Sequence, residues 1–375
     1  MRRRAPARTI GLGAALFGLA LAGAFVQPSL AAKGKSETFD YAGVAETALK
    51  QHIRPGYAAF ANSLAALSKR TAPCADAPAA FNYAALRKPF ANVVAAWAGV
   101  AHLIFGPITA NNRYDRIFFW LDRKGIARRQ VYRALKSMPA GYRDPDVLGE
   151  RSIGVQGFTA IEILMLDKRA ASADPGFRCD YLRAVIANVL GIARNVASAW
   201  SADGLASKTW RSAGPGNPAY VKPGEPVLRL VRSLMTATTE LRDVELLRPL
   251  GFGKGRRKRS GPFARSDLTI DYIAARLAAL RSAWVDSGLS AETKRLGAAR
   301  GRDEVVNAAK QVDFEMKFMA ARGIGMRGTP DFFNSDRVQE AIALGFPLKS
   351  ARELIEKSVS AVTDLPFGFN AADGD

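Results

Sequence analysis

Residues 177–200 read FRCDYLRAVIANVLGIARNVASAW, and the apolar positions Leu182, Val185, Val189, Ile192, Val196 and Trp200 follow one another at steps of three and four. That spacing puts side chains on one side of an α-helix, so the stretch predicts a long helix laying a single apolar stripe against a core. Alanine, leucine and arginine dominate around it, and alternating β-branched runs closed by turns hardly occur. Helix is the expected state almost throughout, and the fold class is all-α. The same spacing predicts helices at about 38–68 with a kink or break at Pro55, then at 81–104, 126–137, 145–167, 177–201, 225–247, 267–286, 291–320, 333–344 and 350–362.

Roughly ten helices exceed what one small core needs, so two four-helix-bundle-like lobes are expected, over 32–203 and 225–375. Between them fall Gly204, Gly214, Pro215, Gly216, Pro218, Pro223 and Gly224, which oppose regular structure and make 204–224 the expected linker.

The chain begins Met1-Arg2-Arg3-Arg4 and carries an apolar and glycine run from Ile10 to Val26 before Pro28. A basic start followed by an apolar run is the order of a secretory signal, and Ser29-Leu30-Ala31 puts small residues where a signal peptidase reads them. Residues 1–31 are therefore the expected signal peptide, with cleavage after Ala31 and a soluble periplasmic product. An uncleaved anchor is the alternative, since the run approaches the ~17 residues that can just span a bilayer.

The chain carries a formal charge of +20; Arg2, Arg3, Arg4 and Arg8 leave with the signal, so the mature charge is +16. Inside a cell such a charge points to nucleic acid. An exported chain meets anionic lipid, lipopolysaccharide and polyanionic polymers instead, so an anionic membrane surface is an expected partner and nucleic acid is not. The plainer alternative is a solvated basic surface with no specific partner. Lys254, Arg256, Arg257, Lys258 and Arg259 are interleaved with glycine, which predicts an exposed flexible loop on which lipid binding would centre.

Cys74 and Cys179 are the only cysteines. Export into an oxidising compartment makes a disulfide between them the expectation. No histidine lies near either one, which argues against a metal pair.

Several further segments come in a characteristic order. They are Ala96-Trp97 with His102-Leu103-Ile104-Phe105-Gly106-Pro107; Arg113 and Phe118-Phe119-Trp120-Leu121-Asp122; Val155-Gln156-Gly157-Phe158-Thr159-Ala160-Ile161-Glu162; Ala213-Gly214-Pro215-Gly216-Asn217; Arg248-Pro249-Leu250-Gly251; Arg265-Ser266; and Phe367-Gly368-Phe369-Asn370. In this order the chain resembles the imelysin-like family, exported helical proteins that include envelope peptidases and relatives tied to iron uptake. The resemblance covers nearly the whole mature chain and implies an all-α fold of two helical bundles. The family signature Gly-x-His-x-x-Glu implies a metal or active site at the matching Gly157, Thr159 and Glu162. Threonine here replaces the histidine, removing the better ligand for iron or zinc.

On a helix, Gln156, Thr159 and Glu162 share a face, while Phe158, Ile161, Ile163, Leu164 and Met165 make the other sides apolar. Glu162 is therefore expected to be buried, and a buried carboxylate must be paired, hydrogen-bonded or protonated. Arg113, Arg116, Arg151 or the indole N–H of Trp97 or Trp120 are its candidate partners. The alternative is a ligand pocket formed by Gln156, Gly157, Thr159 and Glu162 with Trp97 and His102, in which Glu162 is the one candidate metal ligand. His52 and His102 are the only histidines; His102 reads as a core position, and His52 has no evident partner. No His-Glu-x-x-His, Gly-x-Ser-x-Gly or phosphate-loop motif occurs, and no residue is assigned a catalytic role. The leading expectation is a periplasmic binding or accessory protein, tied to iron or other metal acquisition through the resemblance and lacking peptidase activity. An interaction protein for anionic envelope components and a metallopeptidase are the alternatives.

Overall fold

The long helix runs from Pro175 to Ala199 in a computed structural model that describes residues 38–367, other than 123, 252–260, 330, 331, 333 and 334. Asp174 caps it by accepting the Phe177 N–H at 2.7 Å, Pro175 occupies the first turn, and the predicted stripe from Leu182 to Trp200 is buried. The expected signal segment, the basic cluster at 254–259 and the end of the chain from residue 368 lie outside the described residues. Every regular element among the described residues is helical, and none of those helices is long and apolar enough to cross a membrane.

Pro55 does not break the first helical run. The chain passes from Tyr41–Ala48 through one π turn, Leu49–Ile53, into Arg54–Arg70. A proline ring ordinarily meets the carbonyl four residues earlier; here the wider turn precedes it, and that turn carries His52 into the interior.

Other stretches differ from expectation as well, and the helix predicted at 81–104 is a 3-10 turn, Tyr83–Leu86, running into Arg87–Ala98, which ends before His102. Residues 145–167 divide into Pro145–Gly149, a 3-10 turn at Ile153–Val155 and a separate helix, Gly157–Leu166. The division falls at Gly157, whose φ is +68° and whose Cα faces the carbonyls of Arg116 and Ile117 so closely that a Cβ would lie 2.6 and 2.5 Å from them. The expected helix at 291–320 is two, Leu289–Ala299 and Asp303–Met326. Gly301, at φ +63°, ends the first in a left-handed turn that lets Arg302 N–H donate to the Gly297 carbonyl at 2.8 Å. Finally, 204–224 is not wholly irregular: its glycines and prolines flank a short helix, Leu205–Arg211. That helix is anchored by Trp210, which is buried and donates its indole N–H to the Ala45 carbonyl at 2.8 Å.

Aromatic side chains from both sides of 204–224 share one core. Phe158 packs with Trp97, Phe90 and Phe118 at ring separations of about 6 Å and with Phe263 at 5.6 Å. Phe263 stacks on Phe118 at 4.6 Å. Since Phe158 lies between Gly157 and Thr159, this packing fixes the helix that carries the family motif. Cys74 and Cys179 form the expected disulfide, with Cα atoms 5.9 Å apart, tying Pro73–Asp76 to the start of the long helix.

Candidate functional site

Thr159 and Glu162 lie one turn apart on Gly157–Leu166 and open onto a cleft of about 680 Å³. Its other walls are Phe119–Asp122, the start of the helix Ile126–Ser137, Arg248 and the turn 261–265. Thr159 is half-buried, and its hydroxyl donates to the Phe119 carbonyl at 3.4 Å.

Glu162 is buried, as its apolar neighbours predict, but its partner is neither an arginine nor an indole. Oε1 accepts two hydrogen bonds from Ser266, the backbone N–H at 2.9 Å and the hydroxyl at 2.6 Å. Arg113 instead donates to the Pro107 carbonyl, and Arg116 to Gln156 and Asn188. Burial pushes the Glu162 carboxyl above its ordinary range, against the Ser266 hydrogen bonds and nearby Arg265, which favour the charged form.

Cations dominate the remaining polar lining. Lys124, Arg128, Arg248 and Arg265 border the cleft. Arg265 also pairs with Asp167 at 2.7 Å. Asp122, the other acid in the lining, is committed to the adjoining helix, accepting Ile126 N–H at 2.7 Å and Ala127 N–H at 2.8 Å.

The other residues expected at the site lie elsewhere. Gln156 precedes the helix, in extended conformation, and does not share its face. Its buried amide donates to the Gly149 and Arg151 carbonyls and accepts from Asn188 at 2.8 Å, so it ties loops together. Gly157 serves as the close approach to Arg116 and Ile117. Trp97 is fully buried against Phe60, Tyr114 and Phe158. His102 is buried against His52 and lines no part of the cleft.

Over residues 53–364 the chain matches the family model described as Imelysin. The chain belongs to the imelysin family. Among solved structures, an imelysin-like protein from Psychrobacter arcticum 273-4 superposes with a TM-score of 0.73 at 19% identity, covering 88% of this chain and 99% of that one. A protein from Parabacteroides distasonis ATCC 8503, described as an iron-regulated protein A precursor, superposes with a TM-score of 0.64 at 12% identity, covering 87% and 97%. At these identities the likeness is one of fold. No curated protein matches in sequence.

Against the imelysin motif, the donor set of this chain does not fit an iron or zinc ion. One carboxylate with an oxygen held by Ser266, one threonine hydroxyl and four bordering cations are a poor set for either. Among the described residues no group of three or more His, Cys, Asp or Glu could hold a metal ion. The residue that sequence reasoning missed is Ser266, 104 positions from Glu162. Its one signal is membership, with Arg265, of the segments that carry the family resemblance.

Proposed function

We propose that this imelysin-family protein is an exported periplasmic binding or accessory protein without peptidase activity, whose cleft beside Thr159 and Glu162 takes an anionic solute. The observation that carries this reading is the division of labour among the charges. Glu162 and Asp122 are satisfied by backbone and hydroxyl donors, while Lys124 and Arg128 border the opening beside Arg248 and the Asp167-paired Arg265. Guanidinium groups offer forked donors that match carboxylate and phosphate oxygens. A part in iron or other metal acquisition then has the metal arriving as a negatively charged chelate. The Cys74–Cys179 disulfide supports an oxidising compartment.

Calorimetric titration of the mature chain with citrate, inorganic phosphate, ferric citrate and zinc chloride tests the reading. Binding of one or more of the anions, lost in the double variant Lys124→Ser/Arg128→Ser, is expected. Stoichiometric zinc binding without anion binding, abolished by Glu162→Ala, would overturn it.

A further inference from the structure

The helix Asp303–Met326 buries Val305, Ala309, Val312, Met316, Met319 and Met326 and leaves its opposite face in solvent. That exposed face carries two large aromatic side chains among polar ones, including Asn307 and Gln311. Phe314 is 65% exposed and Phe318 42%, their rings stacked with centroids 6.5 Å apart, and the Arg322 guanidinium lies 5.4 Å from the Phe318 ring. At 100° per residue, Phe314, Phe318, Ala321 and Gly325 fall within about 60° of arc. Lys310 and Lys317 border that arc on one side and Arg322 on the other, all three exposed. Asp303 and Glu304 project from the same side but lie roughly 15 Å along the axis from Phe314, and Glu340 of Val338–Ala343 sits near Arg322 while paired with Arg337. Asp313 is taken up by Trp284, Ser290 and Lys294, and Glu315 is buried, accepting from Gln311 and Ser350.

An aromatic centre with cations along both edges is the arrangement of a helix that lies in a membrane interface. The rings enter the boundary between headgroups and acyl chains, and the flanking side chains reach phosphates on either side. We infer that this face docks on an anionic lipid surface. Charge decides between lipid and a second copy of the chain. A two-fold contact through the patch would set Lys310, Lys317 and Arg322 of one copy against the same cations of the other, in a chain whose mature charge is already +16. Anionic headgroups complement the same three cations. This surface is on a different element from the cleft and does not depend on what the cleft binds.

Co-sedimentation of the mature chain with vesicles of phosphatidylcholine and phosphatidylglycerol, against phosphatidylcholine alone, tests the inference. Binding only to the anionic vesicles and weakening with salt is expected, because exposed charges are screened beyond about 8–10 Å at ordinary ionic strength. Lys310→Gln/Lys317→Gln/Arg322→Gln should weaken binding about fivefold per cation removed, and Phe314→Ser/Phe318→Ser should remove most of what remains. Both variants alter exposed positions, and unchanged thermal unfolding by circular dichroism verifies their fold. The companion variant Arg256→Ser/Arg257→Ser/Lys258→Ser/Arg259→Ser separates this helix from the basic cluster of the sequence. Loss of binding in that variant alone, no binding by the wild type, or a dimer in sedimentation velocity that Phe314→Ser/Phe318→Ser dissociates would each overturn the inference.

Discussion

Nε2 of His52 lies 2.8 Å from Nε2 of His102, so the only two histidines of the chain form one buried hydrogen-bonded pair. His52 comes from the π turn Leu49–Ile53, and its Nδ1 is 2.9 Å from the Ser282 hydroxyl on Thr269–Val285. The His102 carbonyl accepts from the Ser233 hydroxyl on Glu225–Glu240. His102 Nδ1 has no partner among the described residues. The network assigns the shared proton to His102 Nε2, since this leaves Nδ1 as a bare acceptor instead of a stranded donor and lets His52 donate to Ser282. The pair thus joins an N-terminal turn to two C-terminal helices.

Acid should destabilise the protein through this pair. Burial lowers the His52 pKa to about 4, with Asp286 opposing, and burial together with His52 and Arg276 holds His102 well below its ordinary value. An unfolded histidine takes up its proton near pH 6.5, so between that pH and about 4 the unfolded chain binds protons that the folded one refuses. Stability therefore falls as pH falls through this window, by up to about 1.4 kcal/mol per pH unit for each histidine. Denaturant midpoints measured across the window should show this slope, and His102→Gln should remove about half of it. An unchanged slope in the variant would refute the assignment.

Glu162 has the opposite sign. Its folded pKa is raised, so its contribution is present at low pH and lost as pH rises through the folded pKa. At neutral pH Glu162→Gln, which keeps an acceptor for Ser266 and buries no charge, should be at least as stable as the wild type. Glu162→Ala strands the buried Ser266 N–H and should cost about 1–3 kcal/mol. Equal stability of the two variants in urea titrations would show that the Ser266 contact carries no weight.

What the sequence could disclose follows the range over which its signals act. The helix Ile126–Ser137 was legible to its ends, and the long helix to within two residues, because apolar spacing and caps are local. Glu162 was legible as buried from its own neighbours on Gly157–Leu166. Its partner was not, because Ser266 lies far along the chain and offers only a backbone N–H and a common hydroxyl. The histidine pair was hidden for the same reason: each imidazole sits alone in its segment, 50 residues from the other. The breaks at Gly157 and Gly301 were hidden because a glycine inside a helical pattern does not announce a positive φ.

The Thr159 substitution has a direct consequence for metal. Protein purified without a histidine tag should contain no stoichiometric iron or zinc by mass spectrometry of the metals. Thr159→His adds one imidazole a single helical turn from Glu162, which should give measurable zinc binding. That binding should stay weak and be lost on dialysis, since Glu162 is shared with Ser266 and cations border the cleft. Tight stoichiometric metal in the wild type, removed by Glu162→Ala, would contradict this account.

Two glycines give a test of how the motif helix is seated. Gly157 starts Gly157–Leu166 at φ +68°, and a Cβ there would lie 2.5 Å from the Ile117 carbonyl oxygen and 2.6 Å from that of Arg116, a spacing that forces the backbone to move. The conformation alone disfavours any other residue by about 1–2 kcal/mol. Gly157→Ala should therefore destabilise by more than that and shift Thr159 from Phe119 and Glu162 from Ser266, weakening whatever the cleft binds. Gly191 lies in the interior of Pro175–Ala199 with nothing within 4 Å of an added Cβ. There Gly191→Ala should stabilise by roughly 0.5–1 kcal/mol, through helix propensity and a less flexible unfolded chain. Thermal midpoints of the two variants should move in opposite directions. A fall in both would mean that Gly191 has a packing role the helix does not reveal, and no fall in Gly157→Ala would mean that the motif glycine is not what seats the helix against Arg116 and Ile117.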